Sequence, residues 1–192
     1  MLVLRRRSPV ELDTLLGLAV REGPSYPEVG STGSAVLPPG YRHDRRHRRI
    51  GDSQVFDRAA TALRHWAAHE GASVHIFPRG HPVSLGATIL AVISLGPAQM
   101  VAPCRIVRVI DEFDRFGFAC GTLPGHPERG EEAFVVERRT DGTFFSITAF
   151  SRPADPLARL AGPIGRAIQL AITHRFVNAL ARTVSPGCSG ES

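Results

Sequence analysis

The sequence predicts an α+β fold: a curved antiparallel sheet of about six to seven strands wrapped around one long C-terminal helix. Three observations carry this. Between Ser73 and Phe150, short apolar runs alternate with tight turn signals, as in a meander of hairpins. From Leu157 to Leu180, apolar residues recur at three- and four-residue steps, the signature of an amphipathic helix. A curved antiparallel sheet with one apolar face must bury it, and that amphipathic helix is the available cover. No apolar run reaches the ~20 residues of a membrane span. Such a helix-grip arrangement often leaves a cavity between sheet and helix.

The chain has 192 residues, enough for one domain with its own core. Residues 1–25 read as an N-terminal helical extension, 26–184 as the helix-grip domain and 185–192 as a disordered tail. The order of the first residues, apolar before charged, is unlike a signal peptide, and a cytoplasmic location is expected. The three cysteines lack CxxC spacing and fit a reducing compartment, with Cys104 and Cys120 as small buried hydrophobes. All 23 basic residues are arginine, which excludes Schiff-base and P-loop lysine chemistry.

Taken in order, Ser8-Pro9-Val10-Glu11 is a capping box opening a first helix, which Gly23 and Pro24 end. Residues 23–40 form a long Gly/Pro/Ser-rich loop, a length that is usually functional. Tyr41 to Ile50 is an Arg-rich strand. Asp52 or Ser53 caps a second helix carrying Phe56, Ala59, Leu63 and Trp66, closed by Gly71. Six strands follow: 73–77, 86–95, 104–111, 115–122, 131–139 and 143–150, the last two joined by Asp141-Gly142. Asp155 caps the last helix, and Pro163 kinks or delays it.

Two strand patterns stand out. Ile89 to Ile93 is apolar on both faces, so the N-terminal helix or a second subunit in a homodimer must cover the outer one. In 115–122, one face is Phe116, Phe118 and Cys120, the other Gly117, Ala119 and Gly121. The small face implies either close packing of the helix or space for a ligand.

The richest segment chemically is GTLPGHPERGEEAF, Gly121 to Phe134. It places His126 and Glu128 in a loop before the paired carboxylates Glu131 and Glu132. Adjacent residues of a strand face opposite sides, so one of the pair faces the interior and needs a partner, for which Arg152 and Tyr41 are candidates. Pinning of the hairpin ranks above ligand contact, and acid/base work by His126 and a glutamate ranks third. Ser151 lacks a GxSxG elbow, so it is not read as a hydrolase nucleophile.

The run Arg42 to Arg49 carries charge suited to phosphate, but only Tyr41 offers an aromatic face. A solvated edge strand is favoured, contact with an anionic ligand or lipid ranks next, and a nucleic-acid site ranks last. No HExxH, GxGxxG or Walker sequence occurs, so neither a metal nor a nucleotide cofactor is expected.

The motif GTLPGHPERGEEAF, with the Phe150-Ser151-Arg152-Pro153 turn, resembles a domain-of-unknown-function family of bacteria and plants. Tyr26-Pro27-Glu28-Val29-Gly30, Thr32, Leu37-Pro38 and Gly40-Tyr41 resemble that family's N-terminal block, and Gly162-Pro163 and Gln169 its last helix. The family's motif usually has Ser where this chain has Arg129. The family is similar in fold to the birch-pollen-allergen and START-like helix-grip proteins, which implies a cavity for apolar or amphipathic ligands.

The expected function is binding of a small hydrophobic or amphipathic molecule between the sheet and the last helix. Ile164, Ile168, Ile172 and the small face of 115–122 would line the site. Tyr41, His126, Glu131 or Glu132, and Arg152 would orient the ligand. The alternatives are an enzyme using a His/Glu pair in the same cavity, or a dimeric interaction module.

Overall fold

The computed structural model describes residues 2–3, 5–96, 98–154 and 162–185; the side chains of residues 2, 3, 95, 162–166, 168 and 169 are not described. The elements run β1 (Leu2–Val3), α1 (Pro9–Ala19), β2 (Arg42–Gly51), α2 (Phe56–Arg64), α3 (Ala67–Glu70), β3 (Val74–Phe77), β4 (Thr88–Leu95), β5 (Ala98–Asp111), β6 (Arg115–Thr122), β7 (Glu128–Arg139), β8 (Gly142–Pro153) and α4 (Gly162–Val184). One antiparallel sheet orders its strands β2-β8-β7-β6-β5-β4-β3, and β1 pairs with β5. Strands β3 to β8 form the expected meander. The chain reaches β3 from β2, at the opposite edge, by way of α2 and α3.

The sheet has an inner face, covered by α2, α3 and α4, and an outer face. On the inner face Phe118 pairs with Phe134 and Phe134 with Ile147 across the strands. These side chains pack with Trp66, Ala68, Phe176, Val177 and Leu180 in the main core. The apolar stripe of the last helix thus meets the sheet, giving the helix-grip fold. Burying each such Phe or Leu contributes roughly 1.5–3 kcal/mol, which is what holds α4 to the sheet.

Helix α1 forms as its capping box dictates: Glu11 N–H donates to Ser8 Oγ (3.3 Å) and Ser8 N–H to the Glu11 carboxylate (2.8 Å). At its other end, Arg105 donates to the carbonyls of Ala19 and Val20. Leu12, Leu15, Leu16 and Ala19 pack on Leu90, Val92, Val101 and Leu123. Of the two covers open for the two-sided β4, the chain's own first helix is therefore the one that lies on it.

Some expectations are corrected. The helix expected up to Gly71 breaks at Trp66, whose φ of 65° is left-handed. The break sends the Trp66 ring onto Phe118, and its indole N–H donates to the His81 carbonyl (2.9 Å). The segment Phe150-Ser151-Arg152-Pro153 is strand rather than turn: β8 continues to Pro153, paired with Glu128 to Gly130 of β7. Strand β5 begins six residues earlier than the apolar run suggested, because Ala98 to Pro103 pair with β4 despite the proline. Pro163 lies in the first turn of α4 as described, where a missing N–H costs no helical bond. The Asp155 cap falls outside the described residues.

The space expected above Gly117, Ala119 and Gly121 does not face α4. That face is the outer one, since Phe116 and Phe118 take the core side. Gly121 is closed over by Tyr26: a Cβ there would lie 2.4 Å from the Tyr26 hydroxyl. Close packing is thus right for Gly121, but the loop, not the helix, supplies it.

Candidate functional site

The period of two in β7 sends Glu131 and Glu132 to opposite faces of the sheet. Glu131 points outward and is 2% exposed. Its Oε2 accepts from the Tyr26 hydroxyl (2.7 Å) and the Gly30 N–H (2.7 Å); its Oε1 accepts from the Thr32 N–H (3.0 Å) and the Thr32 hydroxyl. A carboxylate has about four acceptor positions, so Glu131 is fully used. Burial, then the hydrogen bond to Glu131, pushes the Tyr26 hydroxyl far above its ordinary pKa and keeps it a neutral donor.

This one carboxylate organises the long loop. Gly30, at a φ of 87°, turns the chain so that its own amide and that of Thr32 converge on Glu131, while the Ser31 amide donates to the Glu28 carbonyl. The Ser25 N–H donates a hydrogen bond to the Thr122 carbonyl (2.9 Å). Tyr26, Leu37 and Phe150, with Tyr41, form a small cluster on the outer face. The candidate roles of Tyr41 and Arg152 are rearranged accordingly. The Tyr41 hydroxyl donates to Glu28 (2.6 Å), and the Arg152 guanidinium lies 4.7 Å from the Tyr41 ring centroid. Neither bonds Glu131 or Glu132; they brace the loop's far end.

Glu132 faces inward beside Phe134, with Cys120 and Ala149 as its cross-strand neighbours. It is half-buried, and no described residue donates a hydrogen bond to it. Burial, then the charges of Glu128 and Asp44, push its pKa up to about 8. At neutral pH it is mostly a neutral carboxylic acid on the face that meets α4. Cys104 and Cys120 lie on the same face; burial pushes Cys104 up to about 12 and Cys120 well above its ordinary value, so neither is a thiolate.

His126 stands in the β6–β7 loop, half-buried, with Nδ1 at 3.0 Å from the Glu128 N–H and 2.9 Å from the Glu128 carbonyl. Burial lowers its pKa to about 4, so it is neutral at pH 7. No hydrogen bond joins it to Glu131 or Glu132. Of the three isoleucines, Ile172 packs against the inner core; the side chains of Ile164 and Ile168 lie outside the described ones.

Sequence reasoning passed over Tyr26, Thr32 and His69 as polar site residues. The first two sit in a segment that looked irregular, and the convergence of their donors is invisible until the loop folds back. His69 is buried between the rings of Trp66, Phe118, Phe134 and Phe176, at centroid distances of 4.7–5.9 Å, with no partner for Nδ1 among the described residues. Burial lowers its pKa to about 3.

Among the described residues no group of three His, Cys, Asp or Glu is placed to hold a metal, and no helix is long and apolar enough to cross a membrane.

Comparison with known proteins agrees with this architecture. The solved structure of Ara h 8.0201, a Bet v 1-like allergen, superposes with a TM-score of 0.52 at 10% identity, over 76% of this chain and 98% of that one. At that identity the likeness concerns the fold alone, and it is the helix-grip fold. A UPF0548 protein of Deinococcus radiodurans is 32% identical over 205 residues, covering 98% of this chain and 100% of that protein. A UPF0548 protein of Arabidopsis thaliana is 30% identical over 118 residues, 57% of each chain. The family model described as Domain of unknown function (DUF1990) matches residues 25–179, which hold the loop, the paired glutamates and most of α4 together. With that much of its length matched, the chain belongs to the DUF1990 family.

Proposed function

We propose that the protein binds a small apolar or amphipathic molecule between the inner face of the sheet and α4, with Glu132 as the polar group that orients it. The observation that carries this reading is the state of Glu132. It is an inward-facing carboxyl held neutral by burial, and no described residue hydrogen-bonds it. Carboxyls perturbed in this way cluster at functional sites, and a protonated one donates a hydrogen bond to a ligand acceptor. The apolar surround comes from Phe118, Phe134 and Ile172. By their spacing, Ile164 and Ile168 continue the Ile172 stripe towards the start of α4. His126, neutral and half-buried at the adjoining loop, is a second polar contact. Glu131, Tyr41 and Arg152 serve the site indirectly, by holding the loop on the other side of the strand.

The test is a comparison of native and denatured masses, paired with titration by the apolar anionic dye 8-anilinonaphthalene-1-sulfonate. A co-purifying molecule released on denaturation, or dye bound to the folded protein, is the expected result. Dye affinity falls as pH rises through about 8, because Glu132 then becomes an anion beside the sulfonate; Glu132→Gln abolishes that dependence. A bare mass with no dye bound at any pH overturns the reading and leaves a filled core.

A further inference from the structure

The outer face carries a second feature that the inner-face reading does not use. Along one row of the sheet, Arg45, Thr148, Ala133, Ala119 and Arg108 stand side by side on β2, β8, β7, β6 and β5. Helix α1 covers the outer face at β4 and β5, and the 23–41 loop covers it around Glu131. Between those covers Thr148, Ala133, Ala119 and Arg108 of this row line an open groove of about 210 Å³, with Val135 beside the two alanines on its floor. Larger side chains on the floor would fill it.

Arg108 forms one wall. Its guanidinium lies against Gly33, where a Cβ would collide with it, so the loop backbone fits close over the arginine. Arg108 is half-buried, yet no described residue pairs with it or accepts a hydrogen bond from it. The nearby carboxylates are otherwise engaged: Glu131 by its four loop donors, and Glu137 by Arg139 at 2.9 Å. Arg115, paired with Glu112 at 3.5 Å, adds a second guanidinium to the groove wall, and Thr148 a hydroxyl. An arginine fork without an anion, beside an apolar floor, is complementary to a small organic acid: the carboxylate on the guanidinium, the carbon body on the alanines.

We infer that this outer groove is a binding site for a small organic carboxylate, with Arg108 as its counter-ion. The volume lies below the ~300–1,000 Å³ usual for drug-sized ligands, so the ligand is small, such as a single-ring acid.

Benzoate, benzyl alcohol and inorganic phosphate are the probes, followed by amide chemical shifts of the full chain. Benzoate is expected to shift the amides of Ala119, Ala133 and Arg108, and benzyl alcohol to do so at least tenfold more weakly. Arg108→Gln should weaken benzoate at least tenfold, and Ala133→Leu should block it by filling the floor while keeping Arg108. Retention of benzoate affinity in both variants, or shifts confined to the inner face, overturns the assignment. Phosphate binding as well as benzoate, indifferent to Ala133→Leu, overturns the organic-acid specificity. The wild-type titration does not depend on either variant folding.

Discussion

Glu131 and Glu132 are neighbours in the chain, yet Glu131 accepts four hydrogen bonds from the 26–32 segment on the outer face while Glu132 meets no described donor on the inner face. Alternation along β7 gives one carboxylate a full set of hydrogen bonds and leaves the other without a described donor. The long Gly/Pro/Ser-rich loop is clamped to the back of the strand that carries Glu132.

Removing that clamp is expected to be costly. Glu131→Ala leaves the Tyr26 hydroxyl and the Gly30 and Thr32 amides without their acceptor, a loss of about 3–5 kcal/mol. Tyr26→Phe removes one charge-assisted bond and should cost about 2 kcal/mol. Urea unfolding of the two single variants and the double variant checks this. The double variant should lose much less than the sum, since both changes act on one bond.

Glu132 makes the folded state pay in the neutral range. Its pKa is about 8 when folded, against roughly 4.3 in an unfolded chain. Between those values the folded protein keeps a proton that the unfolded chain has released, so stability falls as pH rises through the window. Glu132→Gln removes the penalty while keeping the shape. The full shift would be worth roughly 4–5 kcal/mol at pH 8; because Glu132 is only half-buried and water screens it, the variant should exceed wild type by on the order of 1–3 kcal/mol there, and match it near pH 4. Thermal melts across that range measure the difference.

His69 acts in the opposite sense. Its folded pKa is about 3, against roughly 6.5 unfolded, so below pH 6.5 the unfolded chain takes up a proton that the folded one refuses. Stability therefore falls as pH drops from about 6.5 towards 3, by about 2 kcal/mol over the first one and a half units. His126, with a folded pKa of about 4, adds to the same limb. His69→Phe suits the ring cluster around it and should flatten the acid limb while leaving stability at pH 8 equal or higher. Acid titration followed by Trp66 fluorescence reads this, since that ring touches His69.

Much of this protein was determined by local pattern. The capping box at Ser8, the alternation that puts Glu131 and Glu132 on opposite faces, the Asp141-Gly142 turn and the stripe through Phe176 and Leu180 are consequences of backbone period and side-chain type within a few residues. They sufficed for the helix-grip architecture. What alternation cannot say is which face of a strand is covered, and by what. That the Gly117-Ala119-Gly121 face looks away from α4, that Tyr26 closes over Gly121, and that Arg152 settles on Tyr41 rather than on a glutamate were decided only in the tertiary structure. The reason is physical: Tyr26 and Glu131 stand 105 residues apart, and the bond between them exists only once the sheet has brought β7 under the loop.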